Sequence, residues 1–270
     1  MLTELPKPYY QDGAVTIYHG DCRDILPLLP KESIDMCLTS PPYDGLRDYG
    51  NKGWDFKFSA YEIRDRLKYG SVLVWVVGDE VVDGSESGTS FEQVLFFKQI
   101  GMKLHDTMIY EKAEGFIACP NRYNQVFEYM FIVAKGSPRV VNLIRDRKNK
   151  YPNMKQHGTR RQTDGSLKPR MMPALKEMGA RRNIWIYGTG WGKSTDQLFA
   201  HEHPAIFPDA LAKDHIVSWS NEGDVILDPF SGSGTVARAA KFLGRKAIGI
   251  EIEEKYCAIA AKRMEQEVLI

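Results

Sequence analysis

Apolar residues along this chain gather into short runs separated by stretches of mixed character. Seven of these runs predict strands: AVTIYHGD at 14–21, IDMCLTS at 34–40, GSVLVWVVGD at 70–79, DTMIYEK at 106–112, EYMFIVAK at 128–135, DVILDPF at 224–230 and KAIGIEI at 246–252. The runs bordering LDPF and IGIE are apolar almost without a break, as expected of parallel strands covered on both faces. Helical spacing predicts helices over 90–100, 208–219, 235–243 and 254–267, the last with Tyr256, Ile259, Ala260 and Met264 on one stripe. Strands and helices alternate at both ends of the chain, which predicts a doubly wound, mostly parallel α/β sheet.

The middle of the chain breaks this pattern. Residues 137–183 are rich in Arg, Lys, Gly, Asn and Pro and show little periodicity before NIWIYG, yet they carry anchors such as Tyr151, Met154 and Leu175. The overall charge of +1 hides an asymmetry centred here. Between Lys135 and Lys193 there are 15 basic and 3 acidic residues, leaving 21 basic and 32 acidic residues elsewhere. A basic block of this length, with Trp, Tyr and His interleaved, predicts contact with a polyanion. The expected organisation is thus one sheet formed by 1–136 and 201–270, interrupted by a basic insertion over 137–200.

The remaining composition narrows the class. Cys22, Cys37, Cys119 and Cys257 lack CxxC spacing, which fits buried thiols in a reducing cytoplasm rather than a zinc site or a disulfide framework. No apolar run approaches a membrane span, and MLTELPKPYY lacks the apolar core of a signal peptide, so a cytoplasmic protein is expected. His201 and His203 flank Glu202 without a third ligand nearby, so no metal is expected.

Two motifs carry candidate chemistry. The run IDMCLT halts at Ser40-Pro41-Pro42-Tyr43, where two prolines remove backbone donors, fix φ and hold Ser40 extended. In VILDPFSGSGT, 225–235, a buried strand ends at Asp228 and a turn of small residues starts a helix. Such a turn lets backbone N–H groups and a helix N-terminus approach a ligand closely. It matches neither the phosphate-loop nor the GxGxxG spacing. Glu251 ends the next strand, where a carboxylate is placed to accept ribose hydroxyls of an adenosine.

Together SPPY and DPFSGSGT resemble the S-adenosylmethionine-dependent DNA amino-methyltransferases, and their order resembles the circularly permuted beta class. YHGDC at 18–22, HPAIFP at 203–208 and YCAIAAKRM at 256–264 extend the likeness over nearly the whole chain. The resemblance implies a Rossmann-like seven-stranded α/β sheet with a basic target-recognition insertion. It also implies S-adenosylmethionine as cofactor and double-stranded DNA as substrate. The candidate catalytic residues are Ser40, Pro41, Pro42 and Tyr43. An exocyclic base amine is a poor nucleophile because its lone pair is delocalised. Acceptance of its hydrogens by the Ser40 hydroxyl oxygen and the Pro41 carbonyl would draw the nitrogen toward sp³ geometry, while Tyr43 would stack on the flipped base. Cofactor contacts carried over from the family are Asp21, His203, Phe207, Asp228, Phe230, Ser231, Gly232, Gly234 and Thr235, with Glu251 on the ribose. Arg160, Arg161, Arg181 and Arg182 are the candidate DNA contacts. Serine at the head of SPPY resembles the cytosine-N4 group, with adenine N6 as the alternative. RNA or protein-amide substrates and a silent DNA-binding module rank lower. Cytosine C5 chemistry needs a Pro-Cys nucleophile, whereas the adjacent pair here is Cys119-Pro120, in reverse order. A companion restriction endonuclease and a homodimer remain open as partners.

Overall fold

The computed structural model describes residues 3–42, 54–114, 121–154, 157–171, 173–203 and 206–265. They form two compact units, Met1–Asn142 with Asn183–Ile270, and Leu143–Arg182. The first unit is built on a nine-stranded sheet. Its strands in chain order are β1 (Tyr10–Gln11), β2 (Val15–His19), β3 (Ile34–Thr39), β4 (Leu67–Val77), β5 (Lys103–Lys112), β6 (Phe127–Ala134), β7 (Ile184–Tyr187), β8 (Val225–Asp228) and β9 (Lys246–Glu251). Their spatial order is β1-β2-β9-β8-β3-β4-β6-β5-β7. Strands β2, β9, β8, β3 and β4 run parallel, and β6 is antiparallel to both β4 and β5.

All seven expected strands are present. The count rises to nine because each margin gains a short strand: β1, paired antiparallel to β2, and β7, paired parallel to β5. Two residues are too few for β1 to show a period. Beyond a single helical turn at Cys22–Ile25, the described helices are α1 (Phe56–Arg66), α2 (Thr89–Gln99), α3 (Asp209–Trp219), α4 (Thr235–Phe242) and α5 (Glu254–Glu265). Four of them match the periodic segments. Helix α1 was not legible, since only Ala60 and Ile63 among its buried residues are apolar. Its start is set by the Asp55 side chain, which accepts from the Phe58 N–H at 3.0 Å. No helix among the described residues is long and apolar enough to cross a membrane.

Burial explains which strands sit centrally. Every residue of β3 and the last eight of β4 are buried. Trp75 of β4 packs edge-on to Phe97 of α2 at 5.3 Å, and both are fully buried. Each such side chain contributes roughly 1.5–3 kcal/mol. Near the amino end of β3, buried Asp35 accepts from the Val225 N–H at 2.9 Å and the Lys68 Nζ at 2.7 Å, and pairs with Arg139. Burial alone would push this carboxyl up, but Lys68, the Val225 amide and Arg139 outweigh it and hold the group below its ordinary range.

The second unit is described separately. It contains a hairpin of His157–Arg161 with Leu167–Met171 and a short pairing of Arg147–Lys148 with Met178–Gly179.

On the apolar stripe of α5 lies a charged residue, Arg263, which is 1% exposed. Its guanidinium donates to Gln197 Oε1 at 2.7 Å, Thr235 Oγ1 at 2.8 Å, Asp209 Oδ1 at 2.8 Å and the Ser233 carbonyl at 3.1 Å. One buried cation therefore joins the ends of α3, α4 and α5. Removing it takes a buried donor from each of these acceptors, although Asp209 keeps Arg238 at 2.8 Å and the Thr195 hydroxyl at 2.8 Å. Arg263→Met is expected to lower unfolding free energy by about 3 kcal/mol in urea denaturation. A loss under about 1 kcal/mol would mean that Arg238 and water replace the guanidinium.

Candidate active site

The parallel strands bring their carboxyl ends to one edge of the sheet. There β2 leads to Asp21, β9 ends in Glu251, β8 ends in Asp228 and β3 leads into Ser40. Strands β8 and β3 are neighbours, with Ile226 opposite Met36 and Leu227 opposite Cys37. Two motifs 185 residues apart thus become adjacent for purely topological reasons. The contact between them is specific: the fully buried Thr39 hydroxyl donates to Asp228 Oδ1 at 2.6 Å. Beyond Thr39, Ser40 is half-buried, Pro41 buried and Pro42 half-buried. Tyr43 lies outside the described residues, as do Cys119 and Pro120.

The turn after β8 is tightly built. Gly232 has φ +49°, and a Cβ there would stand 2.9 Å from His203 Nε2. Gly234 has φ +77°, and a Cβ there would meet the Ala260 Cβ at 2.7 Å. Left-handed backbone and close neighbours both demand glycine at these positions. Ser231 sits on Gly249 of β9, where a Cβ would fall 2.6 Å from the Ser231 Oγ. That buried hydroxyl has no hydrogen-bond partner among the described residues. The loop is held from one side by Arg263 through Ser233 and Thr235, and from another by Glu251. Glu251 Oε2 accepts from the Gly232 N–H at 2.7 Å and Oε1 from the Glu253 N–H at 2.8 Å.

The electrostatics differ sharply from those around Asp35. Asp228 and Glu251 are both buried, and neither forms an ion pair among the described residues. Burial pushes the Asp228 carboxyl from near 3.8 up to about 7; the Thr39 hydroxyl and Phe230 N–H oppose the rise, and nearby Glu251 adds to it. Burial likewise raises Glu251, against the two N–H donors. Two desolvated acids without a base suit a ligand that brings positive charge and hydroxyl donors of its own.

The other expected residues fall as follows. Asp21 caps the turn Cys22–Ile25 by accepting from the Arg23 N–H at 2.9 Å, and pairs with the Arg23 guanidinium at 2.7 Å. His203 is buried against Gly232 and meets Tyr256 edge-on at 4.2 Å. Phe230 packs edge-on to Trp54 at 5.6 Å, while Phe207 is half-buried just before α3. Arg160 and Arg161 lie in the hairpin of the second unit, whereas Arg181 pairs with Asp146 at 2.5 Å. Arg182 is exposed. Sequence reasoning passed over two residues that organise the site, Thr39 and Arg263. The first stood beside a motif, and the second was a charge at the i+7 position of the stripe begun by Tyr256.

Comparison with known proteins bears on family and fold. The family model described as DNA methylase (N6_N4_Mtase) matches residues 34–262. The orphan methyltransferase M.BamHII of Bacillus amyloliquefaciens is 50% identical over 254 residues, covering 93% of this chain and 92% of that protein. The type II methyltransferase M.ScaI of Streptomyces caespitosus is 28% identical over 97% of this chain and 85% of its own length. Among solved structures, the PvuII DNA methyltransferase (cytosine-N4-specific) superposes with a TM-score of 0.70 at 19% identity, covering 98% of this chain and 90% of that chain. The M1.HpyAVI-SAM complex gives 0.62 at 20% identity, covering 93% of this chain and 100% of that chain. These two show likeness of fold.

The state of Asp228 has a measurable consequence. Its folded form keeps a proton that the unfolded chain releases near pH 4. Stability from this group is therefore full below that value and is lost as pH rises toward 7. Asp228→Asn keeps an acceptor for Thr39 and Phe230 and removes the titration. In urea unfolding of the ligand-free protein, the variant's stability relative to wild type should climb between about pH 4 and pH 7, by on the order of 2–4 kcal/mol, and then level. A difference constant across that window would mean that Asp228 is ionised throughout.

Proposed function

This chain belongs to the DNA methylase family, and we propose that it transfers methyl from S-adenosylmethionine to the exocyclic amine of a flipped base in double-stranded DNA, cytosine N4 being the acceptor. The observation that carries this reading is the Thr39–Asp228 hydrogen bond. It fastens the tip of the Ser40-Pro41-Pro42 corner to the tip of the acidic turn, so a methyl acceptor at one and a cationic donor at the other would lie side by side.

The residues present suit the cofactor. S-adenosylmethionine, when bound, supplies an electrophilic methyl on a positively charged sulfur, together with an ammonium group and a ribose diol. Asp228 would balance positive charge, Glu251 would accept from the diol, and the turn from Phe230 to Thr235 would wall the pocket, with His203 and Phe207 behind it. Asp21 would flank the adenine. Ser40 Oγ and the Pro41 carbonyl would accept hydrogen bonds from the amine, drawing out its lone pair. Their positions are preorganised by two prolines and a buried strand, so little reorganisation is needed when charge develops. Tyr43 would stack on the base. The basic segment would face the DNA backbone.

The choice of cytosine over adenine rests on Ser40 at the head of the corner. Incubation with S-adenosylmethionine and unmethylated genomic DNA, digestion to nucleosides and separation against standards should yield N4-methylcytosine. N6-methyladenine would change the base and keep the amine chemistry, whereas 5-methylcytosine would sink the mechanism. Ser40→Ala should reduce turnover roughly 10²-fold or more while leaving cofactor affinity in calorimetry nearly unchanged. Loss of cofactor binding in that variant would move Ser40 to the cofactor side.

A further inference from the structure

The hairpin in the second unit is sorted by its register. Gly158 stands opposite Arg170, Thr159 opposite Pro169, Arg160 opposite Lys168 and Arg161 opposite Leu167. Side chains of directly opposed residues share a face, and successive residues alternate faces. Arg160, Lys168 and Arg170 therefore lie on one face, with Gly158 completing it. Thr159, Arg161, Leu167 and Pro169 lie on the other. Two arginines adjacent in sequence are thus separated by the pleat.

The cationic face is electrostatically incomplete. Arg160 and Lys168 are a directly opposed like-charge pair, which is destabilising, and Arg170 is the diagonal neighbour of Arg160. All three are exposed, and none forms an ion pair among the described residues. The nearest acid in sequence, Asp164, is exposed at the hairpin tip, where Ser166 engages it. It accepts from the Ser166 N–H at 2.9 Å and the Ser166 hydroxyl at 2.7 Å, while Gly165, at φ +83°, completes the turn. Elsewhere in the same unit Arg181 is neutralised by Asp146. A two-stranded ribbon is marginal alone, so three unbalanced cations on one face weigh against it unless an anion is bound.

We propose that the Arg160–Lys168–Arg170 face of this hairpin contacts phosphates of the DNA substrate, and that Arg161 does not share in that contact. The proposal rests on the DNA methylase reading and deepens it by assigning which residues meet the backbone. A two-stranded β-ribbon fits the width of a DNA groove, and phosphate contacts fix a protein's position on the duplex without reading sequence. A duplex of any sequence therefore tests it.

The experiment measures affinity of the full chain for a random-sequence duplex by fluorescence anisotropy over a salt series. Arg160→Gln, Lys168→Gln and Arg170→Gln should each flatten the slope of log affinity against log salt by roughly 0.9, and the triple variant by roughly 2.7. Arg161→Gln should change it by less than half as much as any of the three. An unchanged slope in the triple variant, or an equal effect from Arg161→Gln, overturns the assignment. Stronger competition by RNA or polyglutamate than by DNA overturns the choice of partner. Wild-type methyl transfer to genomic DNA, assayed in parallel, separates the outcomes. Transfer with unaltered slopes sinks the face alone, whereas no transfer to DNA sinks the underlying reading.

Discussion

Everything at the candidate site depends on two carboxylates buried at the carboxyl edge of a parallel sheet without a cation among the described residues to balance them. Asp228 and Glu251 end adjacent strands and, among the described residues, meet neutral donors that include the Thr39 hydroxyl and the N–H groups of Phe230, Gly232 and Glu253. Such donors offset part of the desolvation cost of a carboxylate but not all of it. The contrast with Asp35 is instructive, because that acid is equally buried yet surrounded by Lys68 and Arg139 and is held ionised. One acid serves as a structural clamp near the amino end of its strand. The pair at the opposite edge stores an unmet demand for positive charge, and that demand is what a cationic cofactor would fill.

Rigidity around these acids comes from a second buried charge. Arg263 reaches from α5 to the turn residues Ser233 and Thr235, and to Asp209 at the start of α3. Gly232 and Gly234 adopt left-handed backbone with neighbouring atoms too close for any side chain. The turn is therefore fixed before a ligand arrives, so binding costs little further ordering. The same economy applies to the Ser40 corner, whose position is set by a fully buried strand and by the Thr39 hydrogen bond.

Charge is also divided along the chain. The sheet-forming segments hold most of the acids, while the inserted segment holds a large excess of lysine and arginine. In the hairpin this excess is sorted by face, so that one side concentrates cations and the other mixes Arg161 with Thr159, Leu167 and Pro169. A cofactor with positive charge and a substrate with negative charge would each find segments of opposite charge on the same polypeptide under the proposed function.

Much of this was legible in the residue order. Seven apolar runs and four helical stripes were enough for the α/β class, because burial on both faces of a parallel sheet demands continuous apolar strands. The two proline- and glycine-marked corners identified candidate chemistry through their joint resemblance to the DNA amino-methyltransferases, since a proline corner alone is as readily a strand terminator. The two-residue strand β1 and helix α1 were not legible, because two residues show no period and α1 buries little apolar surface. Nor could linear order reveal that β3 and β8 are neighbours, that Thr39 donates to Asp228, or that Arg263 on an apolar stripe reaches the glycine turn. Arg160 and Arg161 appear in the sequence as one basic pair, and only pairing with Leu167 and Lys168 puts them on different faces. Those relations depend on distances between residues far apart in the chain. Topology, register and burial set such distances, and local composition does not.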